Sequence, residues 1–386
     1  MKLKNENVYL DYAATTPLDN KVLSSMTPYF KENFGNPASL HKYGKIAKKI
    51  LEKSREEIKN KLNAKNYKLV FTSGGSESNN FAIKGLAEKN NLKKHIITTK
   101  IEHDCILKTC KYLEKNNYEI TYLNVDKYGF INLEDLKNKI RKDTLLVSII
   151  HANNEIGTIQ DIKKIAEICH QQGTLLHSDA CQSFCKVDIN LEDLKIDLLT
   201  INAHKIYGPK GVGALLIKDN INLNPLIFGG GQEFGLRSGT VNIPGVVGFA
   251  SAINSITEKD ITHIKSLQNK LIKGLLEIED CWINGPINEN RLCNNINVSF
   301  KGAEGEAILL HLDNRGVFVS TGSACSSNTL EANHVLLAIG LKKEDTHGTI
   351  RFSLGKETTL EDIDYTIQQT KEVIDLLRKM NPYKYK

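Results

Sequence analysis

Two residues at the ends of predicted strands have side chains suited to chemistry on an amino acid. Asp179 follows the apolar run 174–178, and Lys205 follows the apolar run 198–202. A buried carboxylate is costly unless it is paired, and a protonated ring nitrogen would be a suitable partner. A lysine in a low-dielectric site has a depressed pKa, as an imine-forming amine requires. The pair indicates pyridoxal-5′-phosphate (PLP), which needs a Schiff-base lysine and an acid under its pyridinium nitrogen.

A polar cluster at residues 73–79 lies between a predicted strand and a predicted helix. Gly75 lets the backbone approach a ligand closely, Ser76 adds a hydroxyl donor, and the helix N-terminus attracts an anion. The cluster is neither a Walker loop nor a G-x-G-x-x-G motif, and taken alone it fits a solvated turn just as well. Together with Lys205 and Asp179 it predicts a cradle for the phosphate of PLP.

Two further polar residues follow predicted strands. His103 comes after the run 95–99, and Asn154 comes after the run 145–150. A lone histidine is usually structural and the asparagine loop could be a simple turn, so neither is informative by itself. PLP also needs a group that stacks on its ring. The chain order of cradle, His103, Asn154, Asp179 and Lys205 matches an aspartate-aminotransferase-like PLP fold.

Short apolar runs alternate with helical patterns between about residues 45 and 220. The predicted strands are 68–72, 95–99, 119–125, 145–150, 174–178 and 198–202, and the predicted helices are 45–62, 79–89, 106–116, 133–140 and 161–171. Buried strands separated by helices favour an α/β fold with a mostly parallel sheet covered on both faces. Ligands bind such sheets beyond the carboxyl ends of the strands, where the polar residues above are placed.

The pattern changes after Pro244. One long helix is predicted over 246–278, followed by a strand at 295–300, a Gly/Ser-rich loop at 320–328 and a helix at 361–379. This indicates a smaller α+β domain hinged on the long helix. We expect a large PLP-binding domain over 12–257, and a small domain formed by 1–11 and 258–386 that carries Arg351 and the mobile loop of Cys325.

The composition excludes several classes of protein. The chain has 386 residues and a net charge of +6, and no apolar stretch is long enough to span a bilayer. The first residues lack the apolar core of a secretory signal. None of the eight cysteines forms a C-x-x-C pair, which favours unpaired thiols in a reducing cytosol. We therefore expect a soluble, cytoplasmic protein that binds neither membrane nor nucleic acid directly.

Seven segments carry a closer resemblance. They are YLDYAATTP (9–17), GNPAS (35–39), NNEIG (153–157), HKIYGPKG (204–211), RSGT (237–240), SAC (323–325) and IRFS (350–353). Through them the chain, from residue 9 to about 379, closely resembles the cysteine desulfurases of the iron–sulfur-assembly and nitrogen-fixation type, class-V relatives of the aminotransferases. The resemblance implies a fold-type-I PLP-dependent transferase, a homodimer, and L-cysteine as the substrate.

The resemblance also implies roles for individual residues. Lys205 would hold PLP as a Schiff base, and Asp179 would keep the pyridine nitrogen protonated. Arg351 would grip the substrate carboxylate as a bidentate fork, with Asn154 close by. The other implied cofactor contacts are Gln182 on the ring phenolate oxygen, His103 on the ring face as a stacking and proton-moving group, Gly75, Ser76 and His204 on the phosphate, and Thr240 on the phosphate of the partner subunit.

Cys325 decides which reaction the resemblance implies. Its loop of small residues suits a thiol that swings between active site and acceptor, although composition alone fits an inert loop thiol equally well. The Cys325 thiolate would attack the sulfur of cysteine, leaving a Cys325 persulfide and alanine. The sulfur acceptor would be an iron–sulfur scaffold or a tRNA-thiolation enzyme. No resident metal is expected, although Cys325 could share a transient iron–sulfur cluster with a scaffold.

The chain departs from the family pattern at several positions. Asn202 stands where relatives usually have serine, and it can still donate a hydrogen bond to the phosphate. Cys181 and Cys185 flank Gln182 where relatives commonly have Thr and Gly, and buried packing is favoured over a C-x3-C metal pair. The chain also ends soon after its last predicted helix, whereas relatives that feed the main scaffold often carry a longer tail.

Two other functions fit parts of the pattern. One is a selenocysteine lyase or another class-V PLP lyase or aminotransferase, and a plain lyase or aminotransferase has no need of a cysteine in a Ser/Gly loop. The other is a non-catalytic PLP-binding scaffold for sulfur transfer, against which the intact Lys205 and Arg351 argue.

Overall fold

The structure, a computed structural model, describes residues 7–90, 92–321 and 332–380. In these ranges the strands are β1 Val8–Tyr9, β2 Tyr67–Thr72, β3 His95–Thr99, β4 Glu119–Leu123, β5 Thr144–Ser148, β6 Leu175–Asp179, β7 Leu198–Asn202, β8 Gly213–Lys218, β9 Cys281–Ile283, β10 Asn295–Phe300, β11 Val317–Phe318 and β12 Thr349–Ser353. The helices are α1 Asn20–Met26, α2 Pro28–Lys31, α3 Lys42–Lys61, α4 Gly75–Lys89, α5 Asp104–Glu114, α6 Leu133–Lys139, α7 Ile162–Gln171, α8 Leu191–Leu194, α9 Ile243–Ala252, α10 Glu258–Leu275, α11 Gly305–Asp313, α12 His334–Ala338, α13 Lys343–Thr346 and α14 Leu360–Met380, with a 3₁₀ turn at Glu233–Gly235.

A seven-stranded sheet in the order β2-β8-β7-β6-β5-β3-β4 forms the centre of the molecule. The strands from β7 to β4 pair in parallel, and only β8 is antiparallel to its neighbours β7 and β2. The predicted α/β fold with a mostly parallel sheet is therefore confirmed. Because β2 runs in the same direction as β7, the carboxyl ends of six strands meet at one edge, where ligands bind in such sheets.

Both faces of this sheet are covered by helices, because its strands are apolar on both sides. On one face Leu51 of α3, Ile165 of α7 and Phe249 of α9 belong to one buried cluster with the strands. On the other face Phe81 of α4 and Ile106 of α5 belong to a second cluster. The sheet is thus the middle layer of a three-layer α/β structure.

A separate core lies beside the large sheet. The antiparallel sheet β12-β10-β9 packs with α10, α11 and α14, and Phe352 and Val298 lie at its centre. Val8 and Leu10 belong to the same core, and β1 pairs in parallel with β11. The first described residues therefore pack with the C-terminal part of the chain, and Arg351 is placed on β12, facing the boundary between the two cores.

The prediction of one long helix over 246–278 is wrong, because the structure has two helices there, α9 and α10. Thr257 ends the connection between them. Its hydroxyl accepts a hydrogen bond from the Asp260 backbone N–H, and the Asp260 carboxylate accepts from the Thr257 N–H. This capping box starts a new helix, a local signal that the apolar periodicity conceals. None of the described helices is long and apolar enough to cross a membrane. The predicted loop at 320–328 lies mostly outside the described residues.

Candidate active site

Lys205 lies just beyond the carboxyl end of β7, at the edge where the strands converge. Its amine donates hydrogen bonds to the carbonyl oxygens of Ala13 and Ala14, the latter at 2.7 Å. Burial, and next the charge of Arg351, lower the pKa of the amine to about 8. A substantial fraction of the amine is therefore neutral near physiological pH, which is the nucleophilic form.

Asp179 ends β6 and is almost fully buried. One carboxylate oxygen accepts a hydrogen bond from the Cys181 backbone N–H at 2.8 Å, and the other accepts from the Asn79 side-chain amide at 2.6 Å. Two N–H donors stabilise the ionised form of a buried carboxylate. Asn79 was not singled out from the sequence, although it closes the polar cluster at 73–79.

His103 is the N-cap of α5 and is connected to this acid through Cys105 and Asn79. Its Nδ1 accepts a hydrogen bond from the Cys105 backbone N–H at 3.2 Å, and the Cys105 thiol lies 3.0 Å from the same nitrogen. The Asn79 amide that holds Asp179 also donates to the Cys105 sulfur at 3.2 Å. Because Nδ1 accepts from the backbone, a neutral His103 ring carries its proton on Nε2.

The predicted phosphate cradle is a pocket of about 420 Å³ at the N-terminus of α4. Gly75, Ser76 and His204 line it together, and Lys210 and Thr15 add a cation and a hydroxyl that the sequence did not indicate. Burial, and next the charge of Lys205, lower the pKa of His204 to about 4, so its ring is neutral. The pocket offers helix N–H groups, a hydroxyl and an ammonium group to an anion.

Asn202 packs against the back of this cradle. It is buried, and its side-chain oxygen has no hydrogen-bond partner among the described residues. A Cβ added at Gly75 would lie 2.5 Å from the Cys181 sulfur and 3.5 Å from the Asn202 amide nitrogen. Only glycine therefore leaves room here for the backbone to approach a ligand.

Arg351 crosses from β12 to the same region and is held by two carboxylates. Its Nη1 donates to Glu155 at 2.7 Å, and its Nη2 donates to Asp11 at 3.0 Å. Asn154 donates from its side chain to the same Glu155 oxygen at 2.6 Å. Asp11 lies in the segment YLDYAATTP and Glu155 lies in the segment NNEIG. The sequence does not indicate their contact with Arg351, because a contact between segments so far apart leaves no local pattern.

The remaining predicted residues are placed differently. Gln182 is buried and donates to the Ala13 carbonyl at 2.9 Å, next to the Lys205 amine. Thr240 is exposed and does not line the pocket of its own chain. Cys325 lies outside the described residues. Cys185 contacts the Ile253 carbonyl rather than the surroundings of Cys181, and no group of three or more metal-ligating side chains occurs among the described residues.

The residues that converge at this edge fit PLP. The pocket at Gly75 has the glycine and the donors that a phosphate needs. The Asp179 carboxylate accepts hydrogen bonds from two N–H donors and could accept a further one from a pyridinium nitrogen. The Lys205 amine has the lowered pKa of a carbonyl-reactive lysine.

Comparisons with known proteins agree with this geometry. The family model for class-V aminotransferases matches residues 8–366. The cysteine desulfurase IscS of Dictyoglomus turgidum is 50% identical over 382 residues, covering 98% of this chain and 97% of that protein. The cysteine desulfurase IscS 1 of Archaeoglobus fulgidus is 47% identical over 379 residues, covering 97% and 98% of the two chains.

Solved structures give the same result. A NifS-like protein superposes with a TM-score of 0.90 at 38% identity, covering 96% of this chain and all of the other. SspA in complex with cysteine superposes with a TM-score of 0.82 at 38% identity, covering 92% of this chain and all of the other. The fold and site define a PLP-dependent enzyme of fold type I. The chain belongs to the class-V aminotransferase family and, within it, to the cysteine desulfurases.

Proposed function

We propose that this enzyme converts L-cysteine to L-alanine and holds the sulfur as a persulfide on Cys325. The observation that carries the proposal is the convergence of Lys205, Asp179 and Arg351 at one edge of the large sheet. They supply an amine, an acid and a carboxylate-binding cation, the three groups that chemistry on an α-amino acid needs.

Each side chain has a distinct task in this proposal. When bound, PLP supplies an electron sink for the carbanion that forms at Cα of the substrate. Lys205 would hold it covalently and, once displaced by the substrate amine, would take the Cα proton as a neutral amine. Arg351 and Asn154 bind the substrate carboxylate. The other proposed cofactor contacts are Asp179 on the ring nitrogen, Gln182 on the phenolate oxygen, His103 on the ring face, and Gly75, Ser76, Asn202 and His204 around the phosphate.

The described thiols support Cys325 as the sulfur acceptor by elimination. The sequence has eight cysteines, and the structure describes seven of them, all unpaired. Burial raises the pKa of every one: to about 12 for Cys105, well above the usual range for Cys181, and upward also for Cys110, Cys169, Cys185, Cys281 and Cys293. A protonated thiol is a poor nucleophile, which leaves Cys325.

The sulfur transfer is a displacement in which the atoms and electrons balance. The Cys325 thiolate attacks the substrate sulfur, so a sulfur–sulfur bond forms and the bond from Cβ to sulfur breaks. Its electron pair stays with the carbon skeleton, and a proton added there completes alanine. His103, whose neutral ring carries its proton on Nε2, is the proposed group that moves protons.

Replacing Cys325 with serine tests the proposal. Serine is nearly isosteric, but its alkoxide is not available near neutral pH. We expect Cys325→Ser to bind PLP and to change its visible spectrum on addition of cysteine, yet to release neither alanine nor sulfide. Intact mass should show an adduct of ~32 Da, one sulfur, on the wild type only. Wild-type turnover in the variant, or an adduct that maps to Cys181, would favour the lyase alternative.

We also propose a homodimer with composite active sites, in which Thr240 reaches the phosphate of the partner subunit. The segment that carries Thr240 is anchored in its own chain by two ion pairs, Arg55 with Glu233 and Arg237 with Glu77. Thr240 itself is exposed, as are Phe228 and Phe234 in the same segment. Light scattering that finds a fully active monomer would contradict this arrangement.

The sulfur held on Cys325 needs an acceptor protein. We propose an iron–sulfur scaffold protein or a tRNA-thiolation enzyme, because curated relatives of nearly equal length carry the name IscS. From the similarity to these relatives we also propose a cytoplasmic location. Loading the enzyme with radiolabelled cysteine in a lysate and identifying the first labelled acceptor protein would decide between the two classes.

A further inference from the structure

Arg351, the proposed grip for the substrate carboxylate, already contacts two carboxylates of its own chain. Nη1 donates to Glu155 at 2.7 Å and Nη2 donates to Asp11 at 3.0 Å. The Arg351 side chain is 6% exposed, so both contacts are formed in a partly desolvated place. The substrate carboxylate would therefore be the third carboxylate at a guanidinium that already contacts two.

The two resident carboxylates differ in how firmly they are held. The Glu155 side chain is 6% exposed and also accepts from the Asn154 amide. Its backbone N–H donates to the Asn153 side chain at 2.8 Å, which fixes the loop. The Asp11 side chain is 21% exposed and so borders on water. Moving Glu155 would leave a buried charge without its partner, whereas moving Asp11 would not.

Asp11 and the substrate carboxylate compete for Arg351, because both are negatively charged. One guanidinium with Glu155 and Asp11 has a net charge of −1, and a substrate carboxylate on the same group would bring it to −2. Like charges within ~4–6 Å of each other disfavour the ionised forms in a partly buried site. When Asp11 leaves Nη2, the net charge of the group returns to −1, and Nη2 can donate to a carboxylate oxygen of the ligand.

We infer that Asp11 occupies Arg351 in the empty site and yields Nη2 to the carboxylate of the amino-acid substrate. Asp11 thereby keeps the guanidinium oriented and sets how tightly the site binds a carboxylate. The inference rests on the proposed role of Arg351 in substrate binding, and it assigns to Asp11 a role in specificity rather than in the bond-breaking steps.

The experiment measures the binding of a simple carboxylate to the holoenzyme. Propionate carries the carboxylate but no amine, so it binds without reacting, and propionamide is its neutral counterpart. Calorimetry should show that Asp11→Asn binds propionate about fivefold more tightly than the wild type, the size expected when one partly exposed competing charge is removed. Propionamide should bind both proteins equally, and the KM for cysteine should fall.

Arg141 provides a matched control, because it also contacts two carboxylates, Glu119 and Asp143, on the surface. Asp143→Asn removes the same charge from such an arginine and should leave propionate binding unchanged. Asp11→Ser should reproduce the tighter binding, and Asp11→Glu, which keeps the charge, should not. Equal or weaker propionate binding in both Asp11→Asn and Asp11→Ser would overturn the inference. A wild type that binds propionate but does not turn over cysteine would instead refute the proposed function.

Discussion

The two halves of the proposed active site are built in different ways. The cofactor half consists of Lys205, Asp179 and the cradle around Gly75, which all follow strands of one parallel sheet. The substrate half is Arg351 from the small sheet, with Glu155 from the turn after β5 and Asp11 from the first residues of the chain. The first half is positioned by the register of a single sheet, and the second depends on how two cores pack against each other.

The electrostatics of the two halves differ as well. In the cofactor half burial lowers the pKa of Lys205 and of His204, so cationic side chains there lose charge. In the substrate half a cation is held between two carboxylates. We conclude that the cofactor half is suited to nucleophilic and proton-transfer chemistry, and that the substrate half is suited to reversible recognition. Variants in the two halves should therefore alter different kinetic constants.

The largest effect is expected at Lys205. Lys205→Ala removes the buried amine whose pKa is lowered to about 8, so cysteine turnover should fall to background and the visible band of the holoenzyme should shift. Borohydride reduction followed by peptide mapping should label Lys205 in the wild type and no lysine in the variant. A variant that is labelled at another lysine and still turns over would show that Lys205 has been assigned wrongly.

A smaller effect, on a different constant, is expected at Arg351. Lysine keeps the charge but cannot contact Glu155 and a ligand carboxylate with a planar fork. Arg351→Lys should raise the KM for cysteine by about 10- to 100-fold, the loss expected for one charge-assisted hydrogen bond. Steady-state kinetics should show a much smaller change in kcat, and the PLP content should stay that of the wild type. Loss of PLP would instead show that the two halves are not separable.

The same division explains what the sequence could predict. The polar residues Asp179 and Lys205 follow apolar strands, and a parallel sheet brings the ends of such strands together whatever the details of packing. The partners of Arg351 could not be found in this way, because Glu155 reaches it only when the small core packs on the large sheet, and Asp11 only when the first residues pair with β12. The break between α9 and α10 was missed because the capping box at Thr257 is a local signal within an apolar pattern.

A moderate effect is expected at Gly75, within the cofactor half. A Cβ at this position would lie 2.5 Å from the Cys181 sulfur, so Gly75→Ala should force the cradle and Cys181 apart. Overpacking of this kind typically costs ~1–3 kcal/mol, and we expect PLP affinity to fall by about tenfold. Fluorescence titration of the apoenzyme with PLP measures this affinity. The KM for cysteine in the PLP-saturated enzyme should be unchanged.

The clash at Gly75 has a specific remedy in this chain. Cys181→Ala removes the sulfur that the new methyl group would meet, so the double variant Gly75→Ala, Cys181→Ala should recover most of the PLP affinity. Cys185→Ala serves as the control, because its sulfur contacts the Ile253 carbonyl instead. If the Cys185 variant rescued binding equally well, relief of the contact with Cys181 would not be the cause.

The smallest effect connects the two halves through the pKa of Lys205. Burial is the main cause that lowers this pKa, Arg351 and Lys186 also lower it, Cys181 and Asp11 oppose them, and the resulting pKa is about 8. Below its pKa the amine is protonated and unreactive, and above it the amine is neutral, so covalent capture of PLP by the apoenzyme should accelerate with rising pH around a midpoint near 8.

Arg351→Gln removes a neighbouring positive charge, which makes the protonated amine easier to form and moves the midpoint upward. The midpoint should nevertheless stay below the ordinary value of 10.5, because burial remains. Arg141→Gln, a surface change, should leave it in place. Stopped-flow absorbance across pH measures all three proteins, and a downward shift in Arg351→Gln would contradict the coupling between the substrate half and the cofactor half.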